Sequence, residues 1–408
     1  MSTNAKKCNV MVVGPKPLED FDSLRKIADQ TPFSLRGEIV TLTRSYKYLG
    51  IILSDDLSWN NAITARASAV RKSIFSQYKI LCNRELSPEL RFRFFEAVVV
   101  STALYGSELW GESIASCKSV EAALAVGLRL ILGVGKKASR EAIGLELGYK
   151  PVHLRAAARQ LRLLLKWREI DPVKESSGLW ASRLFRSTPS TEKTHDWFKK
   201  VSTKAVNWLN VPVAKSDLVT PGPAFSVDCH GLLAIATLMF YRKELKGESE
   251  AHELLLSLHT EERPTIASYL RFRGTRNRVL SMIRTGSLLL NDRVSKWSRS
   301  RPNSCLSCGD PSPETIRHFL SHCGKYEQFR LSWAQAWGVT PDLLLRGPNP
   351  SAALGESARF FAPDLSPEQA KAMQVARMDA LQGMWLVRCA IVAQKCPDSV
   401  STPRVQAV

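Results

Sequence analysis

The stretch CLSCGDPSPETIRHFLSHC holds Cys305, Cys308, His318 and Cys323 at the spacing C-x2-C-x9-H-x4-C. Thiolates and an imidazole are donors that zinc prefers, and four of them with no position left open describe a structural rather than a catalytic site. Two cysteines three apart present both sulfurs to one ion from a tight turn, and Gly309 lets the backbone reverse behind them. A helix capped by Ser312, with Pro313 in its first turn, is expected to carry His318 and to deliver Cys323. His322 is a further donor beside Cys323, but His318 is the better placed on that helix. The other cysteines (Cys8, Cys82, Cys117, Cys229, Cys389 and Cys396) show no paired spacing, which fits a reducing compartment.

The segment before the cluster, YLRFRGTRNRVLSMIRTGSLLLNDRVSKWSRSRP, sets Arg271, Arg273, Arg276, Arg278, Arg284, Arg293, Lys296, Arg299 and Arg301 against a single acid, Asp292. Cations at this density make a track for phosphates. Tyr269, Phe272 and Trp297 are interleaved and could stack on bases or form the apolar face of the helices, with the core preferred for Phe272. A second basic stretch, HLRAAARQLRLLLKWRE, lines up Leu154, Leu161, Leu164 and Leu165 on one stripe. Arg155, Arg159, Arg162 and Lys166 then form a cationic outer side.

Several elements must position these groups. Residues 9–13, 38–42 and 46–52 are short, rich in Val, Ile and Tyr and bounded by turn residues, so they read as strands, with a helix over 18–30 between them. From Trp59 the period is helical: 59–82, 88–105, 117–132, 139–147 and 152–169, the second opened by Ser87, Pro88 and Glu89. Residues 170–225 turn polar and irregular apart from a helix-like run at 195–209, and are read as a loose connection. Helices are expected again at 229–246, 250–258, 265–272, 276–286, 326–337 and 367–393, the last capped by Ser366 with Pro367 behind it. The division that follows is 1–56, 57–170, a linker over 171–228, a basic helical region over 229–301, the cluster with its following helix over 302–338, and a C-terminal helical region over 339–408.

With 408 residues and 44% hydrophobic content the chain can build real cores. A net charge of +19 points to a polyanionic partner. No apolar run reaches the roughly 18–20 residues that span a bilayer. A soluble, intracellular protein with no membrane partner is expected.

Four segments, in order, resemble landmarks of the reverse transcriptases of non-LTR (LINE-like) retrotransposons: NAKKCNVMVVG (Asn4 to Gly14), then FSLRGEIVTLTRSYKYLGIILSDDLSW, then TALYGSELWG with RLILGVGKKASREAIGLELGYKPV, and last the cysteine–histidine cluster. The resemblance implies the end of a palm, a hairpin with a primer-grip strand at Tyr46, Lys47, Tyr48, Leu49 and Gly50, a thumb, and a zinc knuckle. Residues 170–260 and 345–408 contribute little to it. In the family, polymerisation needs an aromatic-x-Asp-Asp box before the Asn-x-x-Lys segment, and the chain is expected to begin downstream of it. Asp55–Asp56 follow the primer-grip strand without the aromatic partner and read as a turn, with no catalytic role. Pro341–Asp342, Pro363–Asp364 and Glu368 to Lys371 do not make the family's nuclease pattern, and Gly14-Pro15-Lys16 is not a phosphate loop.

The expected fold is mainly α, with a small N-terminal α/β palm remnant, a thumb-like helical bundle and a C-terminal helical region carrying the zinc knuckle. The expected function is to hold a primer–template or element RNA, with one structural Zn²⁺, no Mg²⁺ bound by these residues, and no polymerisation by this chain alone. RNA or DNA is the expected partner, with a palm-bearing polymerase chain in trans as a further one. Work on chromosomal DNA would place the protein in a nucleus. The rival readings are a zinc-stabilised protein-interaction module and the non-functional remnant of a decayed element.

Overall fold

The computed structural model describes residues 8–13, 21–35, 37–111, 113–169, 196–212, 227–247, 250–259, 264–296, 298, 301–340 and 366–396. These are mainly helical. At the N-terminal end lie β1 (Asn9–Val10), α1 (Phe21–Gln30), β2 (Ser34–Leu35), β3 (Glu38–Ile39), β4 (Thr41–Leu42), β5 (Ser45–Tyr48) and β6 (Ile51–Ser54). They pair two by two: β1 with β4 in parallel, β2 with β3 and β5 with β6 antiparallel. The strand expected over 46–52 is therefore a hairpin. Leu49 (φ 45°) and Gly50 (φ 82°) both take left-handed conformations, the pair that a two-residue hairpin turn requires. The runs at 9–13 and 38–42 keep only short strand pieces.

The helices that follow are α2 (Asn60–Ser76), α3 (Tyr78–Leu81), α4 (Pro88–Phe95), a π-helical turn over Glu96–Val100, α5 (Ser101–Ala103), α6 (Ser107–Trp110), α7 (Ile114–Leu132), α8 (Arg140–Leu147), α9 (Val152–Glu169), α10 (Asp196–Leu209), α11 (Cys229–Leu245), α12 (Glu250–Leu258), α13 (Asn277–Arg284), α14 (Asn291–Val294), α15 (Glu327–Trp337) and α16 (Pro367–Lys395). Two starts follow the sequence signals closely. Ser87 Oγ accepts the N–H of Leu90 at 3.3 Å ahead of α4, and Ser366 and Gln369 form a reciprocal capping box ahead of α16. The helix expected over 265–272 shrinks to a 3₁₀ turn over Ser268–Arg271. No helix among the described residues is long and apolar enough to cross a membrane.

The described residues fall into two compact units built from interleaved pieces. The first lies within 1–77, 96–126 and 151–233, the second within 78–95, 127–150 and 234–408. The expected succession of domains is thus not how the contacts group, since 78–95 and 127–150, both expected in the bundle over 57–170, pack with the C-terminal part. Side chains show why: Phe95 fills the space over Gly127, and a cluster of Ala142, Leu145, Leu238, Tyr241, Leu245 and Leu255 joins α8 to α11 and α12. Tyr241 Oη also donates to the Tyr149 carbonyl at 2.8 Å.

In the first unit, α2 buries Ile63, Ala67, Val70 and Ile74, one stripe at helical spacing. Its neighbours are β6, the π-helical turn and α5. The stripe of α9 buries Leu154, Leu161 and Leu164 between α6 and α10. Complete burial of a side chain such as Val70 or Ile74 contributes roughly 1.5–3 kcal/mol.

Candidate metal centre and nucleic-acid contacts

Cys305, Cys308, His318 and Cys323 come together in the second unit, with their ligand atoms all within 4.8 Å of one another. The chain first turns after Cys308: Gly309 takes φ 78° and donates its N–H to the Cys305 carbonyl at 3.1 Å. A bridge between Ser304 and Pro313, with Glu314 N–H on the Asn303 carbonyl at 2.9 Å, closes the loop. The helical turn that carries His318 is capped by Thr315, whose Oγ1 accepts the His318 N–H at 3.1 Å. Ser312, expected as that cap, instead binds Asp310 Oδ1, and Pro313 sits in the bridge before the helix. The cause is geometric: an N-cap serves the N–H two or three residues on, and Thr315 stands at that distance from His318.

His318 turns Nε2 toward Cys308 Sγ at 3.4 Å, and Cys305 Sγ lies 3.8 Å from Cys323 Sγ. Zinc–sulfur bonds of about 2.3 Å and zinc–nitrogen bonds of about 2.0 Å at tetrahedral angles give sulfur–sulfur edges of about 3.8 Å and sulfur–nitrogen edges of about 3.5 Å. The donor set therefore fits a tetrahedral divalent ion. His322 is exposed, with Nδ1 near the Arg317 carbonyl at 3.4 Å. Cys305 and Cys323 are buried and Cys308 is exposed. The hydrogen bond from Cys323 draws the Cys305 thiol down to about 4, while the same contact pushes Cys323 up and burial pushes Cys308 up. Arg330 donates to the Cys323 carbonyl at 2.7 Å, and Ser307 and Tyr326 share a 2.6 Å hydrogen bond.

The segment Tyr46, Lys47, Tyr48, Leu49, Gly50 forms most of β5 and the turn of the hairpin. Lys47, Tyr48, Leu49 and Gly50 are exposed, Leu49 at 74%. Two residues of TALYG hold this tip in the first unit. Tyr105 Oη donates to the Leu49 carbonyl at 2.5 Å, and the backbone of Gly106 sits so close to Ile51 that a Cβ there would meet its Cδ1 at 2.7 Å. Arg66 lies over the Tyr105 ring and donates to the Thr102 carbonyl. Asp55 and Asp56 occupy the turn after β6. Asp55 is buried, and Asp56 Oδ1 accepts the Ser58 N–H at 2.9 Å, which lowers its pKa.

The basic residues divide. Arg284 is completely buried and donates Nε to Glu146 Oε1 at 2.7 Å, so it is withdrawn from the phosphate track. Burial alone would raise the Glu146 carboxyl, but Arg284 and His259 more than offset it and hold it at about 2. Tyr269 and Arg301 are also buried, which removes Tyr269 as a stacking platform. Arg278 is half-buried and donates to the Gly133 carbonyl at 3.0 Å. Phe272 is half-buried, whereas Trp297 and Arg299 lie outside the described residues. Arg271 and Arg276 are exposed but pair with Glu89 and Asp379.

On α9 the expected cationic side is likewise split. Arg155 pairs with Glu96, and Arg159 donates to the Leu104 carbonyl and to Glu108, both half-buried. Arg162, beside His230, and Lys166 are exposed, as are Arg273 and Lys296. Exposed Arg317 and Lys325, flanking His318 and Cys323, were not singled out by composition because they stand outside the arginine-rich run. Comparison of the chain with known protein families, with curated proteins and with solved structures finds no match in any of the three.

Proposed function

We propose that this chain is a nucleic-acid-gripping segment of a non-LTR retrotransposon-type reverse transcriptase, built around a structural zinc site. The observation that carries this reading is the contact between two family-like segments far apart in sequence: Tyr105 and Gly106 of TALYG hold the YKYLG turn at Leu49, Gly50 and Ile51. This leaves Lys47 and Tyr48 exposed at the tip, where a primer end would be held. Cys305, Cys308, His318 and Cys323 would hold the zinc, which on binding supplies a cross-link between the Cys305–Cys308 turn and the helical turn that carries His318. Exposed Arg162, Lys166, Arg273, Lys296, Arg317 and Lys325 supply phosphate contacts to RNA or DNA. With Asp55 buried and Asp56 engaged by Ser58, this pair has no catalytic role in the reading, and the role proposed for the chain is binding and not phosphoryl transfer.

A second reading, a protein-interaction module, is favoured by Leu331 and Leu386, half-exposed apolar side chains on α15 and α16. Binding of the purified chain to a labelled RNA–DNA primer–template at low salt separates the two. Saturable binding supports the grip, and a soluble, zinc-loaded chain that does not bind sinks it in favour of the interaction module.

A further inference from the structure

A second set of charges lies directly behind the metal-ligand cluster. Glu314 is 1% exposed, and its Oε1 stands 3.9 Å from Cys305 Sγ. Arg388, buried on α16, grips that carboxylate with both arms, Nε to Oε1 at 2.8 Å and Nη2 to Oε2 at 2.7 Å. Asn291 completes the shell. Its N–H binds Glu314 Oε2 at 2.8 Å, its amide donates to the Ser304 carbonyl at 2.7 Å, and its Oδ1 accepts from Arg388 and Arg301 at 3.4 and 3.5 Å. The same helix reaches the cluster twice more. Lys395 Nζ donates at 2.8 Å to the carbonyl of Leu306, between the first two cysteines, and the Trp385 ring lies edge-on 6.4 Å from Phe319, the neighbour of His318.

Charge balance gives this arrangement a consequence. Three thiolates and a neutral imidazole around a divalent ion leave one surplus negative charge. Glu314 brings a second one to within 3.9 Å of a ligand sulfur, in a site where water does little screening. An unpaired carboxylate there would oppose the ligand set, and the bidentate guanidinium of Arg388 cancels it. We infer that Arg388 is a positioning residue for the metal centre: by neutralising and orienting Glu314 beside Cys305 it permits the anionic ligand set, and it makes metal loading and docking of α16 a single event. This deepens the zinc reading and rests on it.

The test uses the full chain, with Zn²⁺ affinity read by competition against a chromophoric chelator and Co²⁺ spectra reporting the ligand set. Removal of an outer-shell partner commonly costs about 10–100-fold in metal affinity. Arg388→Met is expected to weaken Zn²⁺ binding about tenfold or more. Glu314→Gln keeps the shape and removes the negative charge beside Cys305, so it is expected to hold or tighten binding. A scaffold role alone predicts the same loss in both, because both break one pair, and equal loss or an unchanged Arg388→Met overturns the inference. Hydrogen exchange over residues 385–395 is expected to slow on metal binding in the wild type and not in Arg388→Met; protection independent of metal contradicts the coupling. If Arg388→Met does not fold, Glu314→Gln decides alone: equal or tighter binding supports the inference and weaker binding sinks it. A folded wild-type chain that takes up neither ion overturns the zinc reading itself, which is distinct from a wild type that binds metal indifferently to residue 388.

Discussion

Arg284 and Glu146 meet 2.7 Å apart in the second unit with neither side chain exposed to solvent. His259 lies against the same carboxylate at 3.2 Å. Removing one member of such a pair leaves a buried charge without its partner, at a cost of about 3–5 kcal/mol. Arg284→Met is therefore expected to lower the urea midpoint of unfolding sharply while leaving the salt dependence of nucleic-acid binding unchanged. A fully stable Arg284→Met protein, or one whose salt dependence falls, would contradict this placement.

The same pair predicts acid lability. The Glu146 carboxyl is held at about 2 in the folded state, below its ordinary 4.5. Its contribution is thus fully present above about pH 4.5 and is lost as the pH falls toward 2; a shift of this size corresponds to roughly 3 kcal/mol. Urea unfolding at pH 5 and pH 3 should show the loss, and Glu146→Gln should flatten it. A pH dependence that is identical in the variant would exclude Glu146 as its source.

Gly106 supplies a sharper local test. It takes φ 69°, and a Cβ would meet Ile51 Cδ1 at 2.7 Å, whereas a Cβ at Gly135 would meet nothing within 4 Å. The left-handed backbone alone costs a non-glycine residue about 1–2 kcal/mol. Gly106→Ala should therefore destabilise by at least that much and loosen the hairpin tip in hydrogen exchange over residues 48–52. Gly135→Ala should be near neutral. Equal effects at the two positions would be evidence against the close packing of the YKYLG turn on TALYG.

Metal affinity should rise with pH. Cys308 and Cys323 sit above the ordinary thiol value, so each carries a proton near neutrality that a bound ion must displace. Zn²⁺ titrations at pH 6.5 and pH 8 should show tighter binding at the higher pH, with proton release measurable by calorimetry in two buffers. Affinity independent of pH would mean that these thiols are not the ligands.

How far the sequence discloses this arrangement depends on the distance over which each feature is decided. The ligand cluster spans a few turns of chain, so its spacing is readable directly, and the caps at Ser87 and Ser366 need only the next three residues. Thr315 displaced Ser312 as a cap because two candidate hydroxyls lay within one turn of each other. The family resemblance implies a hairpin in this segment, but its residues do not mark the turn at Leu49–Gly50, because leucine, in place of asparagine or aspartate, precedes the glycine; the Tyr105 hydroxyl on the Leu49 carbonyl supplies what the turn residue does not. Which arginines face inward was illegible for a different reason. The partner of Arg284 stands 138 residues away and that of Arg388 stands 74 away, and no local pattern marks either.

The proposed cationic grip on a phosphate backbone is tested most directly by the slope of log affinity against log salt for a labelled RNA–DNA primer–template. Each phosphate contact contributes about 0.7–0.9 to that slope. Replacing exposed Arg162, Lys166, Arg273 and Lys296 together by glutamine should flatten the slope by about 3–3.5 units and weaken binding at every salt concentration. An unchanged slope in that variant, with the protein still folded and zinc-loaded, would contradict the grip.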